Sequence, residues 1–413
     1  MVYNILEFGA KTETDCTESI QSAIDKCAEN CGGCVFIPSG TYISGTIWLK
    51  DNVELHFETG AVLKASTNLD DYNAEDAYPQ NWGSKEEKWR AKHLIIALEC
   101  KNVAITGNGI IDGSGDAFFG TERTFYSGYA WEGGYVTSKD EDMLRPGQLV
   151  CFIECDNIKV RDITLKNMPC WGLFFHGCEN VQVSGITVTN PFDYVNTDGI
   201  DIDCCRYVTV SDCIINTGDD AIAIRCDSKK LKNPKACENI TITNCTLASN
   251  SSVFRIGVGV GEIRHVRISN IIVSRGGNLV TFATSYFGHG NAEIEDIGLS
   301  DISAYNIGRM LDCVAEKSFI KNISMRNMLV YAGGETLILQ KNEGVVSDIL
   351  LKDITLILTR KIKKDKKYII QVENADNIVL DSVNVSYTTD TWEKVFHKAG
   401  AGNVIVKNCN FEQ

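Results

Sequence analysis

Along most of this chain, apolar and polar residues alternate in short runs, and each run opens on Asn or Asp. The phrase reads Asn-Val-Glu-Leu from residue 52, Asn-Val-Ala-Ile from 102, Asn-Ile-Lys-Val from 157, Asn-Val-Gln-Val from 180 and Asn-Ile-Thr-Ile from 239. It returns at 296, 322, 348, 377 and 403, with weaker copies opening on Tyr207 and His265. From 157 onward the copies are 23 to 32 residues apart. Alternation at period two is the signature of a half-buried strand, and no helical pattern sits regularly between the copies. A strand set recurring at this interval predicts a solenoid, each repeat forming one coil of about three short strands stacked on the next. The expected fold is all-β, a parallel β-helix, running as a single domain over 1–413.

The phrase also predicts its own corner. Asn tolerates left-handed backbone and bonds to nearby peptide groups, so it suits a turn between strands. Cysteines keep the same register: Cys100, Cys155, Cys178, Cys205 and Cys237 lie two positions before a phrase, and Cys213, Cys245 and Cys409 six after. Equivalent positions stack about 4.8 Å apart in successive coils, so these residues are expected to form buried ladders of free thiols. The Cys-Gly-Gly-Cys at 31–34 has Cys27 nearby but lacks the four ligands a zinc site needs, and is read as packing. Over 17–30, Ile20, Ala23, Ile24 and Cys27 recur at helical spacing, with Asp15 or Thr17 as N-cap. That helix would cap the open N-terminal end of the solenoid. Two stretches break the period, about 65–93 and 114–148. Both are rich in aromatics, Trp131 among them, that suit the apolar faces of sugar rings or simply pin the loops down.

Composition narrows the partners. The 413 residues carry a formal net charge of −14 and include 17 cysteines. An acidic surface does not favour nucleic acid, and no apolar run is long enough to span a membrane. The N-terminus lacks a basic segment followed by an apolar core, so the expectation is a cytoplasmic protein; an exported chain without its leader would read alike. The partner is expected to be an oligo- or polysaccharide. No cofactor and no metal are expected, and the oligomeric state is not legible.

Two segments hold the candidate chemistry: Asn-Thr-Asp-Gly-Ile-Asp-Ile-Asp at 196–203 and Asn-Thr-Gly-Asp-Asp-Ala-Ile-Ala-Ile at 216–224. They fall in successive coils, so Asp198 can neighbour Asp219 and Asp220 across a rung. Adjacent side chains on a regular strand point apart; a bend at Gly218 would let both acids reach one place. On composition alone, solvated turn residues are the favoured reading.

These segments resemble the signature of glycoside hydrolase family 28, the polygalacturonase family. The resemblance extends over about residues 4–275, including Gly-Gly-Cys-Val-Phe-Ile-Pro-Ser-Gly-Thr-Tyr at 32–42 and Leu-Arg-Pro-Gly-Gln-Leu-Val at 144–150. It implies a right-handed parallel β-helix and metal-free, inverting cleavage of pectic and related glycans. Inversion needs a protonated carboxyl for the leaving oxygen and a carboxylate that activates water. The resemblance makes Asp219 the acid, with Asp198 and Asp220 sharing the water. Asn196, Asp201, Arg225, Arg255, His289 and Trp131 are the expected substrate-binding residues.

Two family features are missing. Where Gly-His-Gly is expected, the chain reads Asn-Ser-Ser-Val-Phe-Arg-Ile-Gly at 250–257. Where an Arg-Ile-Lys clamp for the sugar carboxylate is expected, it reads Thr281-Phe282-Ala283. A neutral sugar in one subsite becomes a reasonable expectation. The Gly-His-Gly at 288–290 lies later, and Gly-Val-Gly-Val-Gly at 257–261 reads as a tight bend rather than a phosphate loop. Competing readings are a catalytically silent glycan-binding β-helix, against which the intact acids argue, and a polysaccharide lyase, whose usual Ca²⁺ and basic residue are not evident.

Overall fold

The computed structural model describes residues 1–73, 89–124, 135–138, 145–286, 290–333, 336–360, 368–388, 395–400 and 402–411. The predicted phrase is the repeating unit. Val103, Ile158, Val181, Val208, Ile240, Val266, Ile297, Ile323, Ile349 and Ile378 lie in parallel register on successive rungs. Among the described residues 29 strands join in one ladder network, and the pairings between its rungs are parallel. It is a right-handed parallel β-helix. The inward Val, Ile, Leu and Phe of every coil merge into one core that runs along the stack.

Every phrase but the last, at Asn403, opens on a left-handed residue, as its Asn predicts. Asn52, Asn102, Asn157, Asn180, Asn239, Asn322 and Asn377 have φ between 52° and 62°. The weaker copies conform too: Tyr207 has φ of 57° and His265 of 54°. There the tertiary ladder imposes a conformation that the side chain disfavours. The asparagine side chains bond rung to rung, Asn102 Nδ2 donating to Asn52 Oδ1 at 2.8 Å and Asn157 Nδ2 to Asn102 Oδ1 at 2.8 Å. A second left-handed corner follows five residues after the first, at Asp162, Asp212, Asn244, Asn270, Asp301, Asn327 and Asp353. The phrase does not announce it.

The cysteine ladder is internal and continuous: Cys100 N–H donates to Cys155 Sγ at 3.3 Å and Cys178 N–H to Cys205 Sγ at 3.4 Å. All five of its thiols are buried and none is in a disulfide; burial pushes the Cys178 thiol well above its ordinary value. The capping helix α1 (Thr17–Glu29) buries Ile20, Ala23, Ile24 and Cys27, and Asp15 accepts the Thr17 N–H at 2.9 Å. Among the described residues no helix is long and apolar enough to cross a membrane.

Of the two insertions, the described parts pack inward. Tyr72 is buried, its hydroxyl donating to Ser66 O at 2.7 Å. Phe119 stacks on Tyr194 at 4.0 Å between centroids. Trp131, with Tyr78, Trp82, Phe125, Tyr126 and Tyr129, lies outside the described residues.

Candidate active site

Five strands carry the site on the outer face of consecutive rungs: β1 (Val150–Ile153), β2 (Leu173–His176), β3 (Ile200–Asp203), β4 (Ile222–Asp227) and β5 (Ser252–Ala283). In β3, Ile200 and Ile202 point into the core, so Asp201 and Asp203 must point out. Register then builds two outward columns. One runs Cys151, Phe174, Asp201, Ala223, Arg255; the other runs Ile153, His176, Asp203, Arg225.

The three candidate acids do not sit on strands. Asp198 occupies the corner leading into β3, and Asp219–Asp220 the corner leading into β4. The rungs are adjacent: Gly199 N–H donates to Asp220 O at 3.0 Å and Gly172 N–H to Asp198 O at 2.8 Å. Gly218 makes the sharp corner possible. A Cβ there would lie 2.1 Å from Tyr194 O and 2.7 Å from Thr197 Oγ1. The Asp219 carbonyl is fixed by Thr217 Oγ1 at 2.8 Å and Ser249 Oγ at 2.6 Å. In consequence one carboxylate oxygen from each of Asp198, Asp219 and Asp220 lies within 4.8 Å of the others.

Burial separates their roles. Asp198 and Asp220 are buried, while Asp219 is half-buried. Loss of solvation, with the Asp220 charge adding to it, pushes Asp219 up to about 7 against the pull of Arg255, Ser251 and the Asn196 N–H. Asp198 is raised well above the carboxylate range by burial and by Asp201, Asp219 and Asp220. Asp220 has specific partners instead. Ser252 N–H donates to its Oδ1 at 2.9 Å, Arg255 Nη2 donates to the same oxygen at 3.3 Å, and Arg255 Nε donates to Oδ2. Three acids at this spacing could offer oxygens to a cation, but Arg255 already engages both Asp220 oxygens.

The remaining candidates divide. Asn196, left-handed at φ 51°, donates its N–H to Asp219 Oδ2 at 3.1 Å, and its Oδ1 accepts from Arg145 Nη2 at 2.6 Å. It holds the acid in place. Asp201, expected at the substrate, is fully buried, with neither carboxylate oxygen hydrogen-bonded among the described residues. Desolvation drives it well up, and it forms the floor beneath the other acids rather than a contact surface. Arg225 lies over the Trp171 ring at 4.7 Å and 4.0 Å from Asp203. Asp203 also faces His176 Nδ1 at 3.3 Å and accepts the Asp227 N–H at 2.8 Å. Burial works against its charge, but His176, Arg225 and that N–H prevail and lower Asp203 to about 2. His289 lies outside the described residues.

At the expected clamp, Phe282 points into the core, so only Thr281 and Ala283 face outward. Thr281 Oγ1 is 2.8 Å from Ser252 Oγ and accepts from Asn278 Nδ2 at 3.0 Å. Arg145 was not legible in advance. It is fully buried, bonded to Asn196 and Pro169 O, and lies 5.2 Å from the Phe119 ring. It thereby ties the second insertion to the corner carrying Asp198.

The sequence profile of Glycosyl hydrolases family 28 matches residues 27–308. The chain belongs to this family. It is 25% identical to an exopolygalacturonase of Zea mays over 411 residues, covering 94% of this chain and 84% of that one. It is 27% identical to a probable polygalacturonase of Vitis vinifera, covering 64% and 52%. An exo-poly-alpha-D-galacturonosidase of Dickeya chrysanthemi is 30% identical over 54% of this chain and 41% of its own. The chain thus spans about half the length of several of these relatives. The same fold occurs in a family 28 exopolygalacturonase of Yersinia enterocolitica, with a TM-score of 0.72, 19% identity and 98% and 78% coverage. An exopolygalacturonase of Thermotoga maritima gives 0.60, 23%, and 98% and 91%.

Proposed function

We propose that this chain hydrolyses glycosidic bonds of pectin-type or related plant glycans, with inversion and with a neutral sugar in one subsite. The observation that carries the reading is the pairing of a half-buried acid held near neutrality, Asp219, with a carboxylate gripped by a guanidinium, Asp220. An acid that keeps its proton at mildly acidic pH can hand it to a leaving oxygen. A neighbouring carboxylate can take one from water, with Asp198 sharing that water.

The spacing bears on stereochemistry. The closest oxygens of the three acids fall within 4.8 Å, short of the roughly 6.5–9.5 Å between carboxyl groups usual for inverting enzymes. Inversion here therefore relies on Asp198 and Asp220 flanking one water beside the acid, as the family resemblance implies, rather than on two carboxyls placed far apart. The neutral subsite rests on Thr281 and Ala283, which offer a hydroxyl and a methyl where a sugar carboxylate would need a cation.

A panel of acidic and neutral pectic oligosaccharides, with the first-formed anomer followed by proton NMR, tests this. Hydrolysis to the inverted anomer is expected. The retained anomer would overturn the mechanism, unsaturated product would replace hydrolysis by a lyase, and binding without turnover would leave a glycan-binding module.

A further inference from the structure

Arg255 sits on β5 directly across the ladder from Ala223. The side chain is almost buried, and its fork closes on both oxygens of Asp220 while the ring of Tyr286 lies 5.8 Å from the guanidinium carbon. The Ser252 N–H donates to Oδ1 of the same carboxylate at 2.9 Å.

The arrangement matters because the acids are crowded. Asp198 and Asp201 face Asp220 from the preceding rung, and Asp219 adjoins it in the same corner. Arg225, at the other outward column, is committed to Asp203 and Trp171. Cys170 lies beside Asp198 and contributes no positive charge. Four carboxyls at this density cannot all be ionised in a dehydrated corner. Without a fixed cation, the proton held by the cluster would be spread over Asp198, Asp219 and Asp220.

Resting on the hydrolase reading above, we infer that Arg255 is a positioning residue that holds Asp220 as the carboxylate and so leaves the cluster's protons to its neighbours, with half-buried Asp219 as the donor. It fills electrostatically the gap left by the missing histidine of the Gly-His-Gly segment, whose place is taken by an uncharged serine, Ser251 or Ser252. The two-pronged contact fixes the Asp220 plane as well as its charge. Arg255 therefore orders the acid and base roles without touching the reacting bond and is not available as a substrate clamp.

The test compares Arg255→Gln and Arg255→Lys, each checked for native circular dichroism, by the pH profile of kcat/KM. The acid limb of that profile reports the base. Gln should lower kcat/KM by about tenfold or more and move the acid limb up by about one pH unit, the scale of a lost opposite charge. Lys, which keeps the charge, should leave the limb within about half a unit of wild type, even with some loss of rate. An unmoved limb in Gln, or a limb in Lys displaced as far as in Gln, overturns the inference. If Arg255→Gln does not fold, the equally uncharged Arg255→Met takes its place. Carboxyl-carbon NMR titration of Asp-labelled protein reads the same effect without substrate: Asp220 should titrate higher in Gln than in wild type and Lys. If the wild type cleaves no glycan, the hydrolase reading fails, and this titration still decides whether Arg255 sets the ionisation of Asp220.

Discussion

The coils around residues 173–283 and those around 291–399 share one register but differ in what their outer faces hold. In the first set the outward columns present Asp201, Ala223 and Arg255 beside His176, Asp203 and Arg225. In the second the corresponding columns continue as Asp312, Ile338 and Gln371 beside Val314, Gln340 and Glu373. The inward residues are of one kind in the two: mainly Ile, Val and Leu, with Phe, Cys and Met among them. What differs is the corner entering the strand. At the acids it is a break in the ladder, ten residues at 190–199 and four at 218–221, whereas the strands Ser252–Ala283 and Asn291–Ala315 pass their corners without interruption. The repeat builds the coil; a local break in the repeat supplies the chemistry.

The largest expected effect removes the acid at that break. Asp219→Asn should lose at least about 10²-fold in kcat, the scale of general acid catalysis, with Asp198→Asn and Asp220→Asn also severely impaired. Glu373→Gln, in a distant coil where the column of His176, Asp203 and Arg225 continues, should turn over as wild type. Steady-state rates on the best oligosaccharide decide it, and a comparable loss in Glu373→Gln would erase the distinction between the two regions.

Specificity gives a smaller contrast. With Thr281 and Ala283 at the clamp position, kcat/KM should favour a matched oligosaccharide carrying a neutral sugar over its acidic counterpart by about tenfold, the order of one charge-assisted contact. Preference for the acidic sugar, lost in Arg225→Ala, would move the clamp onto the Trp171–Arg225 pair instead.

The smallest effect is on stability, and its sign follows from the raised acid. Asp219 titrates near 7 when folded and near 3.8 as a free side chain. Its protonated form therefore stabilises the fold fully below pH 3.8, and that stabilisation is lost as pH rises through 7. Asn mimics the protonated form. Asp219→Asn should melt a few degrees higher than wild type at pH 8, with the gain vanishing toward pH 4. Scanning calorimetry at the two pH values would show a pH-independent difference if the site carried no such tension.

Much of this was legible because the repeat is written in residues that obey local rules. The Asn corners, the inward β-branched residues, the cysteine register and the cap over 17–30 each follow from backbone preference or period. The acids of successive coils were legible through Gly218 and the spacing. Other features depend on which way a side chain turns once packed. Phe282 looked like part of a subsite and lies in the core. Asp201 looked like a contact and lies beneath one. Arg145 reads as an ordinary loop arginine until its hydrogen bonds to Asn196 and Pro169 are seen, because a buried cation has no periodic signature.

The hydrogen bond from Gly199 N–H to Asp220 O has a metrological consequence. Asp198 and Asp220 stand on neighbouring rungs, so the interval between them is the backbone spacing of a parallel ladder, about 4.8 Å, rather than a distance negotiated by rotamers. The solenoid acts as a gauge block. Substitutions in the core can soften or shift whole coils, yet they leave this interval fixed while the rung bond survives. To widen the gap between the two carboxyls that flank the water, the protein would have to insert a coil, and then it would be wrong by a full rung.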